Sequence, residues 1–202
     1  MERAARTAEA LVANLGSAPG RRVLLIGGES GSGKTSLARA LVERLGGRRG
    51  CAVLSQDDWY HLGPRANEAR RRADPSWRGL LELEIGGLGA AITAWCGGAS
   101  QLTVPRFEGE QRTERPLDVS GTATLVVEGT FVLALPVDGL RILLTEDWRA
   151  TEVGRLARGR DPMDPQSAEV LAAESTLVQA QRSRADVWVD ADGRLEWASQ
   201  GG

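Results

Sequence analysis

From Gly28 to Thr35 the chain reads Gly-Glu-Ser-Gly-Ser-Gly-Lys-Thr, the spacing GxxxxGK[ST] in full. Glycines let a backbone wrap closely round a phosphate, so that several N–H groups point inward. A helix starting near Lys34 adds its positive N-terminal end. Lys34 is placed to reach the β- and γ-phosphates of a nucleotide, and the Thr35 hydroxyl to bind Mg²⁺. The chain carries 25 basic residues, and Lys34 is the sole lysine among them. Arginine does not replace a compact point charge, so a lysine kept at this one position carries weight. The pattern predicts that Gly28, Glu29, Ser30, Gly31, Ser32, Gly33, Lys34, Thr35 and Ser36 hold ATP.

A second chemical feature follows at Ser55-Gln56-Asp57-Asp58-Trp59-Tyr60. A carboxylate at the C-terminal end of a neighbouring parallel strand lies beside a phosphate loop. Asp57 is then placed to take a proton from a substrate hydroxyl, or to help hold Mg²⁺. Trp59 and Tyr60 suit either an acceptor pocket or the core.

These groups need a scaffold. Residues 22–26 (RVLLI) form a continuous apolar run, as a buried parallel strand does. A helix over 35–45 follows the loop, with Leu37, Ala38, Leu41, Val42 and Leu45 on one face. Residues 51–55 give a second strand. Residues 57–74 are polar and read as loop or short helices. Helical spacing predicts a helix over 80–95, weakened by Gly86, Gly87 and Gly89. Strands are expected at 102–104 (ended by Pro105), 124–127 and 140–144. Helices are expected at 1–15, 147–158 and 164–182, the last with Asp164 as cap and Pro165 at its first position. Residues 187–197 read as a hairpin turning at Asp192-Gly193. The fold class is α/β: a P-loop NTPase-type, mainly parallel sheet flanked by helices, with a small lid. One domain spans 1–202, with an N-terminal helix in 1–20 and a lid region in 147–166.

The motifs in order resemble the uridine–cytidine kinases of the phosphoribulokinase and uridine kinase family. SQDDWY is similar to that family's SQDxFY, and GGESGSGKT to its GGSGSGKT. Val126-Val127-Glu128-Gly129 looks like its strand ending in Glu-Gly, Arg158-Gly159-Arg160-Asp161 like its lid, and Ala185-Asp186-Val187 like its late strand. The resemblance implies transfer of the γ-phosphate of ATP to an alcohol. Asp57 would be the general base, and Glu128 would join Thr35 and Asp57 around Mg²⁺. Arg155, Arg158 and Arg160 would form a cationic lid, with help from Arg149. On the acceptor side, Asp57, Tyr60, Asp74, Phe107, Glu108 and Arg112 are the substrate-binding candidates. Phe107 and Glu108 stand where the family has Tyr and Asp, and its base-reading histidine is absent. A nucleoside acceptor therefore competes with a non-nucleoside alcohol such as a natural product, sugar or vitamin precursor. A nucleotide-dependent regulatory NTPase is the reading from a different class, and the sequence lacks the NKxD that reads guanine.

Composition narrows the field further. A net charge of −2 gives no basic field for nucleic acid. The two cysteines and single histidine are too few for a structural zinc site, and buried, reduced cysteines are expected. No apolar run is long enough to span a bilayer. The expectation is a cytoplasmic enzyme with a small-molecule hydroxyl acceptor, no nucleic-acid or membrane partner, and self-association as an open option.

Overall fold

The computed structural model describes residues 2–16, 20–47, 50–152 and 165–199. Six strands form the central sheet: β1 (Arg22–Gly28), β2 (Cys51–Ser55), β5 (Thr124–Glu128), β6 (Leu140–Leu144), β7 (Val187–Val189) and β8 (Leu195–Trp197). Their spatial order is β2-β5-β1-β6-β7-β8. Pairing is parallel from β2 through β7, and β8 alone runs antiparallel at the edge.

The continuous apolar runs follow from burial on both faces. Leu24 and Ile26 of β1 pack on one side with α1 (Glu2–Asn14) and α2 (Lys34–Arg44). Val23 and Leu25 point to the other, where α4 (Ile85–Cys96) contributes Leu88, Ile92 and Trp95. Successive side chains alternate faces, so a doubly covered strand must be apolar throughout. The chain further forms α3 (Pro64–Ala73), a two-stranded antiparallel ladder of β3 (Gln101–Glu108) and β4 (Gln111–Asp118), and α5 (Pro165–Gln179).

Register places the chemistry. Ser55 and Ile26 both sit opposite Glu128. The C-terminal ends of β2, β5 and β1 therefore align, and the segments leaving them meet at one edge of the sheet.

Several expectations need correction. Pro105 does not end its strand. It pairs with Glu114 inside β3, because each strand of a two-stranded ladder has a free edge where a missing N–H breaks nothing. Its partner β4 was not foreseen, since its side chains are largely exposed and carry no apolar alternation. The helix expected from residue 80 begins at Ile85. Leu80–Glu82 makes a separate 3₁₀ turn, with Leu80 and Leu81 exposed and Glu82 drawn inward. Around Asp192-Gly193 the turn is longer than two residues. The Asp190 carboxylate accepts from the N–H of Asp192 (2.9 Å) and of Arg194 (2.8 Å), closing a wider loop. Cys51 is buried as expected, but Cys96, the last residue of α4, is exposed. The helix expected over 147–158 starts no earlier than residue 152, after a turn over 148–151, and its remainder lies outside the described residues. No described helix is long and apolar enough to cross a membrane.

Candidate active site

The phosphate loop leaves β1 through Gly28, whose φ of +151° sits beside +85° at Gly31 and +100° at Gly33. These are conformations that side chains disfavour. A Cβ on Gly28 would also meet Ser32 Oγ at 2.7 Å and the Leu144 carbonyl at 3.0 Å. The loop ends where α2 begins at Lys34, so the first N–H groups of α2 have no intrahelical partner and face the cradle.

Lys34 Nζ donates to the carbonyls of Gly28 and Glu29, both at 2.9 Å. Burial lowers its pKa, and the carboxylates of Glu128, Asp57, Glu174 and Glu29 oppose that shift. The ammonium is thus held inside the loop by surrounding negative charge. Thr35 Oγ1 donates to Glu128 Oε1 at 3.4 Å, and Ser55 Oγ donates to the same oxygen at 2.8 Å. Burial pushes the Glu128 carboxyl above its ordinary range. A cation beside it would restore the charged form. A hydroxyl and a carboxylate on hard oxygen are suitable donors for Mg²⁺, so the residues present fit that ion.

A cleft of about 940 Å³ opens here. Lys34, Thr35, Asp57 and Glu128 line one end, with Ser30 and Gly31 beside them. Asp57 sits on the 3₁₀ turn after β2 and stays open to solvent. Its neighbour Gln56 is fully buried and fixes that turn by accepting from the Phe131 N–H at 2.7 Å. Tyr60 and Phe107 also line the cleft, whereas Trp59 joins the core.

Other expected residues lie elsewhere. Asp74 accepts from Ser76 N (3.0 Å) and Ser76 Oγ (2.6 Å) and pairs with Arg70 (2.9 Å), so it caps the turn after α3 rather than lining the cleft. Glu108 is exposed at the tip of the β3–β4 ladder. Arg112 pairs with Glu84 outside the cleft. Ser32, Gly33 and Ser36 line a small cavity of about 120 Å³ behind the loop. Arg149 is exposed and lies over the Trp148 ring at 4.5 Å. Arg155, Arg158 and Arg160 fall outside the described residues.

Glu29 holds a position its motif does not announce. It is 3% exposed. Its carboxylate accepts from Trp148 N (2.8 Å), Ser175 Oγ (2.8 Å) and Gln179 Nε2 (3.1 Å). It therefore ties the phosphate loop to α5 and to the turn after β6. Thr151 adds a second tie, donating to the Ser30 carbonyl at 2.9 Å.

On the wall formed by α3 and α5, Arg71 meets two carboxylates that no motif singled out, Glu82 and Glu174. Arg71 of α3 donates through Nε to Glu82 (2.5 Å) and through Nη2 to the Tyr60 hydroxyl (3.3 Å), and pairs with Glu174 of α5 (3.2 Å). Burial pushes the Glu174 carboxyl up to about 7, with Arg71 pulling the other way and Glu82 adding to the rise. One signal was present. Val170, Glu174 and Val178 share one buried stripe of α5 at a spacing of four, and a carboxylate in such a stripe needs a reason. Glu110 was missed too. It accepts from Arg65 N (2.9 Å) and Ala66 N (3.1 Å), capping α3 where Gly63 offers no side chain.

With this geometry in hand, the likenesses to known proteins are informative. The Zeta toxin family matches residues 13–97. A bifunctional α-galactosidase/sucrose kinase of Mediterraneibacter gnavus is 31% identical over 198 residues, covering 89% of this chain. The chain spans only 21% of that relative's length. A candidate fructose transport system kinase from Silicibacter sp. superposes with a TM-score of 0.65 at 18% identity, covering 88% of this chain and 94% of the other. A candidate uridine kinase from Bacillus stearothermophilus gives 0.58 at 22% identity, covering 93% and 97%. The resemblance read from the sequence extends to the tertiary structure: the chain has the P-loop kinase fold.

Proposed function

We propose that the protein transfers the γ-phosphate of ATP to a hydroxyl of a neutral small molecule, a sugar or related polyol. The observation that carries this is the meeting of Lys34, Thr35, Asp57 and Glu128 at one end of a single cleft. In that arrangement Asp57 accepts the proton of the attacking hydroxyl, an oxygen–phosphorus bond forms, and ADP leaves with the oxygen of the broken bond. Lys34 and the first N–H groups of α2 neutralise the phosphate oxygens. Thr35 and Glu128 would hold Mg²⁺, which would supply further charge neutralisation. Arg155, Arg158 and Arg160 are proposed as lid cations.

The sugar assignment rests on the acceptor end. Its wall sets charged and hydrogen-bonding groups of α3 and α5 beside Val170 and Leu171, and the relative at 31% identity is named as a sucrose kinase. A nucleoside is the second reading, favoured by Tyr60 and Phe107, two aromatic rings on the cleft wall. Incubation with ATP and Mg²⁺ against sucrose, fructose, glycerol, uridine and cytidine, followed by ADP release and product mass, tests both. We expect one added phosphate on a sugar, absent with Lys34→Ala. ADP release with no phosphorylated product would contradict the kinase reading.

A further inference from the structure

We infer that Glu174, held by Arg71 on the cleft wall that α3 and α5 form, is the specificity-determining carboxylate that accepts hydrogen bonds from hydroxyl groups of a neutral polyol acceptor. The inference rests on the kinase reading above and names how its acceptor is chosen.

Two carboxylates share the Arg71 guanidinium, and they differ. Glu82 is fully buried and saturated: it accepts from Asn67 Nδ2 (2.6 Å), Arg71 Nε (2.5 Å) and Gly79 N (2.7 Å). It is structural. Glu174 lines the cleft, and among the described residues Arg71 is its one ionic or hydrogen-bonding partner. An ionised carboxylate offers about four acceptor sites. Most of those of Glu174 are therefore left to whatever enters the cleft.

Charge points to the kind of ligand. Among the described residues lining the cleft, Lys34, Arg65, Arg71 and Arg72 face Asp57, Glu68, Glu128 and Glu174. Cations and anions match in number, and Arg72 is already paired with Glu68 at 2.8 Å. Around Arg71 itself, Glu82 and Glu174 make a local pair of carboxylates on one guanidinium. A phosphorylated sugar would add negative charge beside it. A neutral polyol offers hydroxyl donors to Glu174, while a different hydroxyl of the same molecule meets Asp57.

A stable fold does not need this carboxylate. Arg71 keeps Glu82 if Glu174 is neutralised, so Glu174→Gln should fold. The experiment compares wild type and Glu174→Gln with ATP, Mg²⁺ and, in turn, sucrose, fructose, fructose 6-phosphate and uridine. We expect the KM of the preferred neutral sugar to rise by about tenfold or more, the worth of a hydrogen bond to a charged group. The KM of ATP should stay within about twofold. In wild type the sugar KM should fall as pH rises through about 7, where Glu174 ionises in the face of Lys34, Asp57, Tyr60, Arg71 and Glu82. Glu174→Gln should lack that dependence. An unchanged sugar KM in the variant, equal losses toward sugar and ATP, or preference for fructose 6-phosphate over fructose each overturns the inference. Transfer to uridine alone overturns it while leaving the kinase reading standing. No transfer to any acceptor by wild type that still binds ADP overturns both.

Discussion

Glu174 shows what burying a carboxylate beside a cleft costs a fold. Its pKa is raised from 4.5 to about 7, so between those values the folded protein binds more protons than the unfolded chain. Stability must then fall as pH rises through that window and level off above it. Denaturant titrations of wild type and Glu174→Gln at pH 5 and pH 8 should show it. The variant should gain on wild type by roughly 2 kcal/mol between the two. A constant difference would mean that Glu174 is not held uncharged by burial. At this scale the sequence was only partly legible. The phosphate-loop residues could be named from their types and spacing, because glycine conformation and lysine chemistry are local. Arg71, Glu82 and Glu174 are brought together from α3, a 3₁₀ turn and α5, and the one local sign of such a triad is a carboxylate in the apolar stripe of α5.

Elements here are joined by carboxylates as much as by apolar packing. Glu29 binds the phosphate loop to α5 and to the turn after β6, and Glu110 binds the β3–β4 ladder to the start of α3. The N-terminal helix α1 is tied similarly. Arg3 pairs with Glu146 at 2.6 Å and donates to the Ser32 carbonyl at 3.1 Å, bracing the loop from behind. Glu29→Ala would leave three donors without their acceptor, at a cost of about 3 kcal/mol in stability. Because Ser175 adjoins Glu174, it should also raise the KM of both ATP and acceptor. Chemical denaturation with paired kinetics checks this. A loss below about 0.5 kcal/mol would show that α5 is held by its apolar face alone. The sequence located most of these elements, because apolar periodicity reports burial. It mistook the start of α4 and overlooked β4. Leu80 and Leu81 continue a helical pattern yet face solvent, and an exposed, polar strand carries no periodic signal.

Across the whole molecule, function follows from register. The β2, β5 and β1 ends align at Ser55, Glu128 and Ile26, and that alignment brings Asp57, Glu128 and Lys34 to one cleft. The α/β class was readable because strands buried on both faces must be apolar. The acceptor end was not. Of the six substrate-binding candidates, Asp57, Tyr60 and Phe107 line the cleft, and Asp74, Glu108 and Arg112 do not. The motif residues Lys34, Thr35, Asp57 and Glu128 come together in one cleft, whereas the acceptor side is formed by side chains that no shared motif holds in place.

Phosphoryl transfer by this site turns on Asp57, the one residue assigned the proton of the attacking hydroxyl. The most direct test is the turnover of Asp57→Asn against wild type on the same acceptor, with ADP binding measured in parallel. The expected result is a loss of about 10²-fold or more in kcat with ADP affinity nearly unchanged. Turnover equal to that of wild type would contradict it.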